Sequence, residues 1–332
     1  MKPAPFDYHA PADAKEAVEL LAGLGDDAKP LAGGQSLIPL LALRLASFGH
    51  LIDLGRVPEL RGISGRDGVA SDSAISGGTV WVGACTTEAA IGRSPLVAAK
   101  VPLLSRATPL IGHFQIRNRG TLGGSLAHAD PAAEYPAVAL ALDAVIETLS
   151  PRGQRTIPAA EFFTGIWSTA LEPDELLTGV TFRAPTGRAG FAVREFARRP
   201  GDFAVAGTAI AVELDSDRDG GADHGHGEAV GPGGRGGPGG QVRRCAIGLF
   251  GLGLTPLRAS AAEAAAVGLT VGEAATDAFA RELGRAAMAD LDAVPSDLHG
   301  PAAYRTRVGA TLVAAAWRRA ITEALGEEAA SG

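Results

Sequence analysis

Two short stretches of paired glycines, Ala32-Gly33-Gly34-Gln35-Ser36 and Thr121-Leu122-Gly123-Gly124-Ser125, constrain this chain more than any other feature. Adjacent glycines admit positive φ and let successive N–H groups turn toward one point, which makes a concavity for an anion. The hydroxyls of Ser36 and Ser125 add a donor at the end of each stretch. Each stretch runs into a helix-like segment, whose start favours negative charge. Either pair alone reads equally well as a tight turn. Two of matching form point to opposite walls of a cradle for a dinucleotide pyrophosphate. On that reading a side chain at Gly123 would stand where the pyrophosphate approaches the backbone.

The segments around the loops form a small α/β unit and a longer mixed region. Asp13, with an acid at Glu16, resembles a helix start, and Ala17, Val18, Leu20, Leu21 and Leu24 supply an apolar face that Gly25 can close. Lys29–Ala32 predicts a strand, 37–45 a helix or turn, and His50–Leu54 a second strand. Thr79–Gly83 alternates β-branched and aromatic residues. Leu96–Leu110 is helical in pattern, with limits at Pro102 and Pro109. Asp130-Pro131 predicts an N-cap and first helical position, with the helix running through Ala132–Leu142. Strands are expected at Ala144–Leu149, Leu176–Phe182, Phe191–Ala197, Val205–Leu214 and Val242–Leu254, and a helix at Pro301–Leu325. The tract 215–241 is Gly, Asp, His and Pro with almost nothing apolar, which predicts a disordered hairpin tip. Its His224 and His226 lack an ordered scaffold for a metal.

At 332 residues the chain is long enough for two or three domains. A net charge of −7 argues against a nucleic-acid partner. There are 2 cysteines, Cys85 and Cys245, too few and too far apart to hold an iron–sulfur cluster or a structural zinc. They read as small buried hydrophobes in a reducing compartment. The opening Met1-Lys2-Pro3-Ala4-Pro5 lacks the apolar run of a secretion signal, and the greasiest stretch, 37–46, is broken by Arg44. A soluble cytoplasmic protein with no integral membrane segment is therefore expected.

Other motifs are weaker. Gly248, Gly251 and Gly253 lie where a Rossmann fingerprint would, but Pro256 takes the last glycine's place and no early βαβ unit surrounds them, so a core strand and turn are expected. No GxSxG elbow, Walker loop or HExxH helix is present. His113 and His128 flank the second glycine loop and read either as a base or, more commonly, as structural hydrogen-bonders. The cation-rich run from Arg194 to Phe203 reads as a solvated strand end or as charge for a flavin or a partner.

Four stretches, in this order and spacing, carry a resemblance over nearly the whole chain outside 215–241. They are Leu31-Ala32-Gly33-Gly34-Gln35-Ser36-Leu37-Ile38-Pro39, Arg117-Asn118-Arg119-Gly120 leading into Thr121–Ser125, Ala129-Asp130-Pro131-Ala132-Ala133-Glu134-Tyr135-Pro136, and Arg198-Arg199-Pro200-Gly201-Asp202-Phe203-Ala204. With them the chain resembles the FAD-binding subunits of the molybdenum hydroxylases, such as carbon monoxide dehydrogenase medium subunits and the flavin domain of xanthine dehydrogenase. The resemblance implies an α+β fold: a two-part FAD-binding domain of the vanillyl-alcohol-oxidase (PCMH) type, here 1–55 and 56–178, then a smaller α+β domain over 179–332.

The resemblance also implies FAD lying extended between the two parts. Leu31, Ala32, Gly33, Gly34, Gln35, Ser36, Leu37 and Ile38, with Thr121, Leu122, Gly123, Gly124 and Ser125, would enclose its pyrophosphate. Ile111 and Gly112 would run along the flavin, with Leu177 a looser match. Glu134 stands where the family usually carries Asp in contact with the cofactor. Arg194 aligns with a cation of the xanthine dehydrogenase version. Phe203 stands where relatives often have Tyr, which keeps ring stacking and removes a hydroxyl. The implied role is a relay: a small 2Fe-2S subunit delivers electrons from a large molybdenum subunit to FAD, which passes them to quinone, NAD or another acceptor. A self-sufficient flavin oxidoreductase with His113 as base, and a flavin-free scaffold, are the alternatives.

Overall fold

Asp13 starts the first helix as its spacing predicts. Its carboxylate accepts the Glu16 N–H at 2.8 Å, and the Glu16 carboxylate accepts the Ala12 N–H at 2.7 Å. Amide donors at the helix start are thereby satisfied. The computed structural model describes residues 2–66, 78–215 and 240–327. Its first unit comprises β1 (Asp7–His9), α1 (Ala14–Leu24), β2 (Ala28–Leu31), α2 (Leu37–Ala42) and β3 (His50–Asp53). The strands form a parallel sheet in the order β1-β3-β2. Ala14, Ala17, Val18 and Leu21 recur at helical spacing and bury one face of α1 with Ile52 and Leu54. β1 is too short and too exposed to show an apolar alternation, so its sequence carries no strand signal.

The second unit opens with β4 (Ile63–Arg66) and β5 (Thr79–Gly83) and continues through α3 (Glu88–Gly92), α4 (Pro95–Lys100), α5 (Pro102–Ala107), α6 (Phe114–Arg117), α7 (Leu122–His128) and α8 (Glu134–Ala141). It closes with β6 (Val145–Ser150), β7 (Gly153–Pro158), α9 (Ala159–Phe162), the short pair β8 (Phe163–Gly165) and β9 (Ser168–Thr169), and β10 (Leu176–Arg183). Five strands make an antiparallel sheet in the order β4-β5-β10-β6-β7. Pro102 and Pro109 divide the helical pattern of 96–110 into separate turns, because proline cannot supply the amide that a continuous helix needs.

The start of the helix after the second loop differs from expectation. Asp130 caps no helix. Its side chain accepts the Ala132 N–H at 2.8 Å and its carbonyl the Ala133 N–H at 3.1 Å, closing a turn, and α8 begins only at Glu134. Ala129 ends α7 in the left-handed region, φ 52°, so the chain must turn before it can wind again. All of α8 is buried, as expected of a helix that is apolar on every side.

The third unit holds β11 (Ala189–Phe196), β12 (Ala206–Leu214), β13 (Val242–Phe250), β14 (Leu257–Arg258), α10 (Ser260–Ala266), α11 (Val271–Ala274), α12 (Asp277–Ala289) and α13 (Ala302–Ala324). Its antiparallel sheet runs β11-β12-β13-β14. The helices α10, α12 and α13 cover one face, where Ile210, Val212, Ile247 and Trp317 pack. The other face, with Phe191, Ala209, Ala211 and Ala246, joins the core of the second unit around Tyr135 and Val138 of α8. Gly248 lies against the Ala137 carbonyl, so the suspected dinucleotide fingerprint is a strand pressed onto a helix. The glycine- and histidine-rich tract lies outside the described residues apart from its ends, where the Asp215 N–H donates to the Gln241 carbonyl at 3.0 Å. No described helix is long and apolar enough to cross a membrane.

Candidate functional site

The two glycine loops meet. A side chain on Gly33 would run into the Arg119 carbonyl and come within 2.8 Å of the Gly120 Cα, and one on Gly124 would touch the Ala32 methyl at 3.4 Å. Only glycine allows the first loop to lie this close to the chain entering the second.

Their amides are used differently. Gly34 takes φ 72°, its carbonyl accepts the Ile38 N–H at 3.0 Å, and the Gln35 side-chain amide donates to the Gly33 carbonyl at 2.8 Å. The N–H groups of Gly33, Gly34, Gln35 and Ser36 find no partner among the described residues, nor do the hydroxyls of Ser36 and Ser125. Four neighbouring free donors on one turn suit an anion. In the second loop, by contrast, the Leu122 N–H donates to Thr86, the Gly123 N–H to Ala84 and the Ser125 N–H to Thr121, all to carbonyls, at 3.2, 2.8 and 3.0 Å. The Gly124 N–H donates to the Thr121 hydroxyl at 3.1 Å. The expectation of two equivalent nests therefore fails: one loop offers amides and the other supports it. Gly123 is also constrained by packing, since a side chain there would meet the Ala84 methyl at 2.6 Å.

From the second loop the chain leads back through α6 to a cleft of about 600 Å³ between the second and third units. Gly112, His113, Phe114 and Arg117 line one side, Glu195 and Gly201 the other. Arg117 donates to the Ile111 and Gly112 carbonyls, both at 2.8 Å, and so fixes the bend at Gly112, φ 46°. Gly201 has φ 85° and no room for a side chain, which would lie 2.6 Å from the His113 ring. Phe203, two residues on, is 65% exposed.

Other expected residues fall elsewhere. Leu177 is 4% exposed and packed in the core of the second unit. Arg194 alternates to the sheet face opposite Glu195, the face of Ala192 and α13, so the structure does not bring it to the cleft. His128 ends α7 with Nε2 4.0 Å from Asp130, its pKa lowered by burial against the pull of that acid. Cys85 and Cys245 are free and buried, and burial pushes the Cys85 thiol up to about 12.

Three carboxyl groups surround the chain between loop and cleft. Glu134, in the first turn of α8, is pushed up to about 8 by burial, with smaller contributions from the charges of Glu195, Glu88 and Asp130. Burial pushes Glu195 up to about 7, and Glu88 likewise, against the opposing charge of Arg117. One oxygen on each of Glu88 and Glu195 is buried without a hydrogen-bond partner. The Glu88 carboxylate occupies the space that the missing side chain of Gly120 leaves. Its sequence shows only an acid following the N-cap Thr87, a pattern normally found on helix surfaces, so nothing local marks it as buried. Glu195 lay within a run that read as mainly cationic.

Glu88 makes stability depend on pH. Below the ordinary value of 4.5 the folded and unfolded states both hold the proton; between 4.5 and about 7 only the folded state keeps it. Its contribution is therefore lost as pH rises through that window. Glu88→Gln should stabilise the chain by on the order of 1–3 kcal/mol at pH 8 and much less at pH 5. Thermal unfolding at both pH values checks this; an equal gain at both would refute it.

Comparison with known proteins follows the same division of the chain. Residues 4–185 match the family described as FAD binding domain in molybdopterin dehydrogenase, and residues 191–320 match the CO dehydrogenase flavoprotein C-terminal domain. The chain is 35% identical to the carbon monoxide dehydrogenase medium chain of Afipia carboxidovorans, over 96% of its own length and 98% of the relative's. It is 38% identical to the 6-hydroxypseudooxynicotine dehydrogenase complex subunit alpha of Paenarthrobacter nicotinovorans, over 94% and 93%. Among solved structures, carbon monoxide dehydrogenase from Hydrogenophaga pseudoflava superposes with a TM-score of 0.84 at 38% identity, covering 97% of this chain and 99% of that one.

Proposed function

Because this chain belongs to the family of FAD-binding medium subunits of molybdopterin dehydrogenases, we propose that it relays electrons from an iron–sulfur partner to an external acceptor. Its fold is the two-domain FAD-binding fold of the carbon monoxide dehydrogenase medium chain, and FAD is its cofactor. It is a subunit of an oxidoreductase of the molybdenum hydroxylase type. The finer reading adds a small 2Fe-2S subunit and a large molybdenum subunit as partners, and quinone, NAD or another small molecule as acceptor.

The observation that carries the site assignment is the row of unpartnered amides from Gly33 to Ser36 beside the chain that leads to the cleft. These amides, with the Ser36 and Ser125 hydroxyls, would hold the pyrophosphate. The amides offer donors only and each hydroxyl can add one more, as an anion requires. Leu31 and Ala32 lead into this turn; Leu37 and Ile38 continue it as the first residues of α2. Thr121, Leu122, Gly123 and Gly124 would brace it from behind, through the Gly124–Ala32 contact. Ile111 and Gly112, held by Arg117, would present a fixed edge to the flavin ring, and exposed Phe203 would cover it. Glu134 would face the middle of the cofactor. Bound there, FAD would supply one- and two-electron chemistry; the protein supplies orientation, exclusion of water and charge. A flavin-free scaffold would have no use for free amides at a turn, where water or a ligand must satisfy them.

The visible absorption spectrum of the purified chain tests this reading, with the released cofactor identified by mass. A yellow chain carrying non-covalent FAD, inactive on its own toward substrates of molybdenum hydroxylases, is the expected result. A colourless chain that also takes up no added FAD, alone or with partner subunits co-expressed, would overturn it.

A further inference from the structure

Glu195 has no part in the reading above, although it faces the cleft. It projects from β11 on the side opposite Arg194, and one of its carboxyl oxygens is buried with no hydrogen-bond partner. Among the described residues it has no ion pair. A carboxyl group left this way is costly unless a ligand or a proton satisfies it. The groups facing it are few. His113 and Arg117 stand in the same cleft, and Glu134 of α8 couples to it by charge. Its cross-strand neighbour on β12 is Gly207, where the Phe250 ring, which carries no charge, fills the place of a side chain.

We propose that Glu195 takes up a proton when the cofactor in this cleft is reduced and releases it when the cofactor is reoxidised. The inference rests on the flavin reading above. Electrons come from an iron–sulfur donor, or from dithionite in the test, and add negative charge to the cofactor. An O–H bond forms on the Glu195 carboxylate with a proton from water entering the open cleft, and it breaks again when the electrons leave for the acceptor. Glu195 itself makes no covalent bond to the cofactor. Added negative charge nearby favours the neutral acid, so the carboxyl holds its proton to a higher pH in the reduced state than in the oxidised one. Burial already raises it to about 7, which puts the response within the range that a redox titration can read. Below the oxidised-state value the acid is protonated in both states and contributes nothing. Between that value and the higher one of the reduced state, reduction binds one more proton per two electrons, and above both the acid is ionised in both states.

The test is a redox titration of the FAD-loaded chain across pH 6 to 9, comparing wild type, Glu195→Gln, Glu195→Asp and Glu134→Gln. Wild type should show a bend: between the oxidised-state and reduced-state values of Glu195, each pH unit shifts the reduction equilibrium by a further factor of ten, about 30 mV for two electrons. Glu195→Gln should lose the bend with flavin still bound, and Glu195→Asp should keep it at a displaced pH. Should Glu195→Gln shed its flavin, the aspartate variant alone decides: a displaced bend supports the proposal and an unmoved one overturns it. A wild-type profile in both Glu195 variants, or loss of the bend in Glu134→Gln alone, would also overturn it while leaving the flavin assignment intact. A wild-type chain that binds no FAD would overturn both.

Discussion

Gly33→Val is expected to yield a folded chain that no longer retains FAD. The direction in which a side chain would leave Gly33 is filled by main chain, the Arg119 carbonyl and the Gly120 Cα. Neither can swing aside as the tip of a lysine would. Relief requires the two loops to part, at a cost typical of overpacking, about 1–3 kcal/mol. That strain falls on the row of free amides from Gly33 to Ser36. Flavin affinity should therefore drop by roughly ten- to a hundredfold, and further where valine's branches reach the space between the loops. Ala32 packs against the core of the first unit, but Gly33 itself is not part of that core, which should hold. Flavin-to-protein ratio after gel filtration, read with a thermal melt, separates the two effects. Full flavin occupancy would show that the first loop is not the pyrophosphate site.

Arg305→Met is expected to cause the largest loss of stability, about 3–5 kcal/mol, because it removes one partner of a buried charged network. Arg305 is 3% exposed on α13. It grips Asp297 with two bonds of 2.7 and 2.8 Å and donates to the Val205 and Gly251 carbonyls at 2.6 and 3.0 Å. Asp297 reaches solvent and can be rehydrated, so most of the cost comes from the two stranded carbonyls. The damage should spread to the cofactor. Val205 follows Phe203 closely, and the Gly251 N–H holds the Pro131 carbonyl ahead of Glu134. A fall in the thermal midpoint of roughly 10 °C is expected for a chain of this size, with partial recovery in Arg305→Lys, which keeps the charge but not the fork. An unchanged midpoint would refute this account of Arg305.

Much of the architecture could be read from local pattern. The α1 start, the alternation in β5 and the proline breaks in 96–110 each depend on neighbours in sequence. The parts that could not be read depend on distant chain. Paired glycines announce conformational freedom but not which carbonyls take their amides. For the second loop those carbonyls are Thr86 and Ala84, on the stretch leaving β5. Glu88 looks like a surface acid until Gly120 is folded against it. Asp130 has the residues of an N-cap, yet the left-handed Ala129 before it turns the same side chain to another use. Arg194 and Glu195 are adjacent in sequence and face opposite ways, so a one-residue error in strand register exchanges a cation for an acid in the cleft.

The wholly buried α8 bears on how this chain can be altered or inherited. It packs on β12, β13 and β14 of the third unit on one side and on α5, α7 and α9 of the second unit on the other. Cutting between the halves would strip α8 on one side and expose the inner face of the β11–β14 sheet on the other. Neither fragment would then be an autonomous module. Recombination that exchanges the C-terminal half must carry over a compatible imprint of α8. The chain is in that sense one heritable unit despite matching two families.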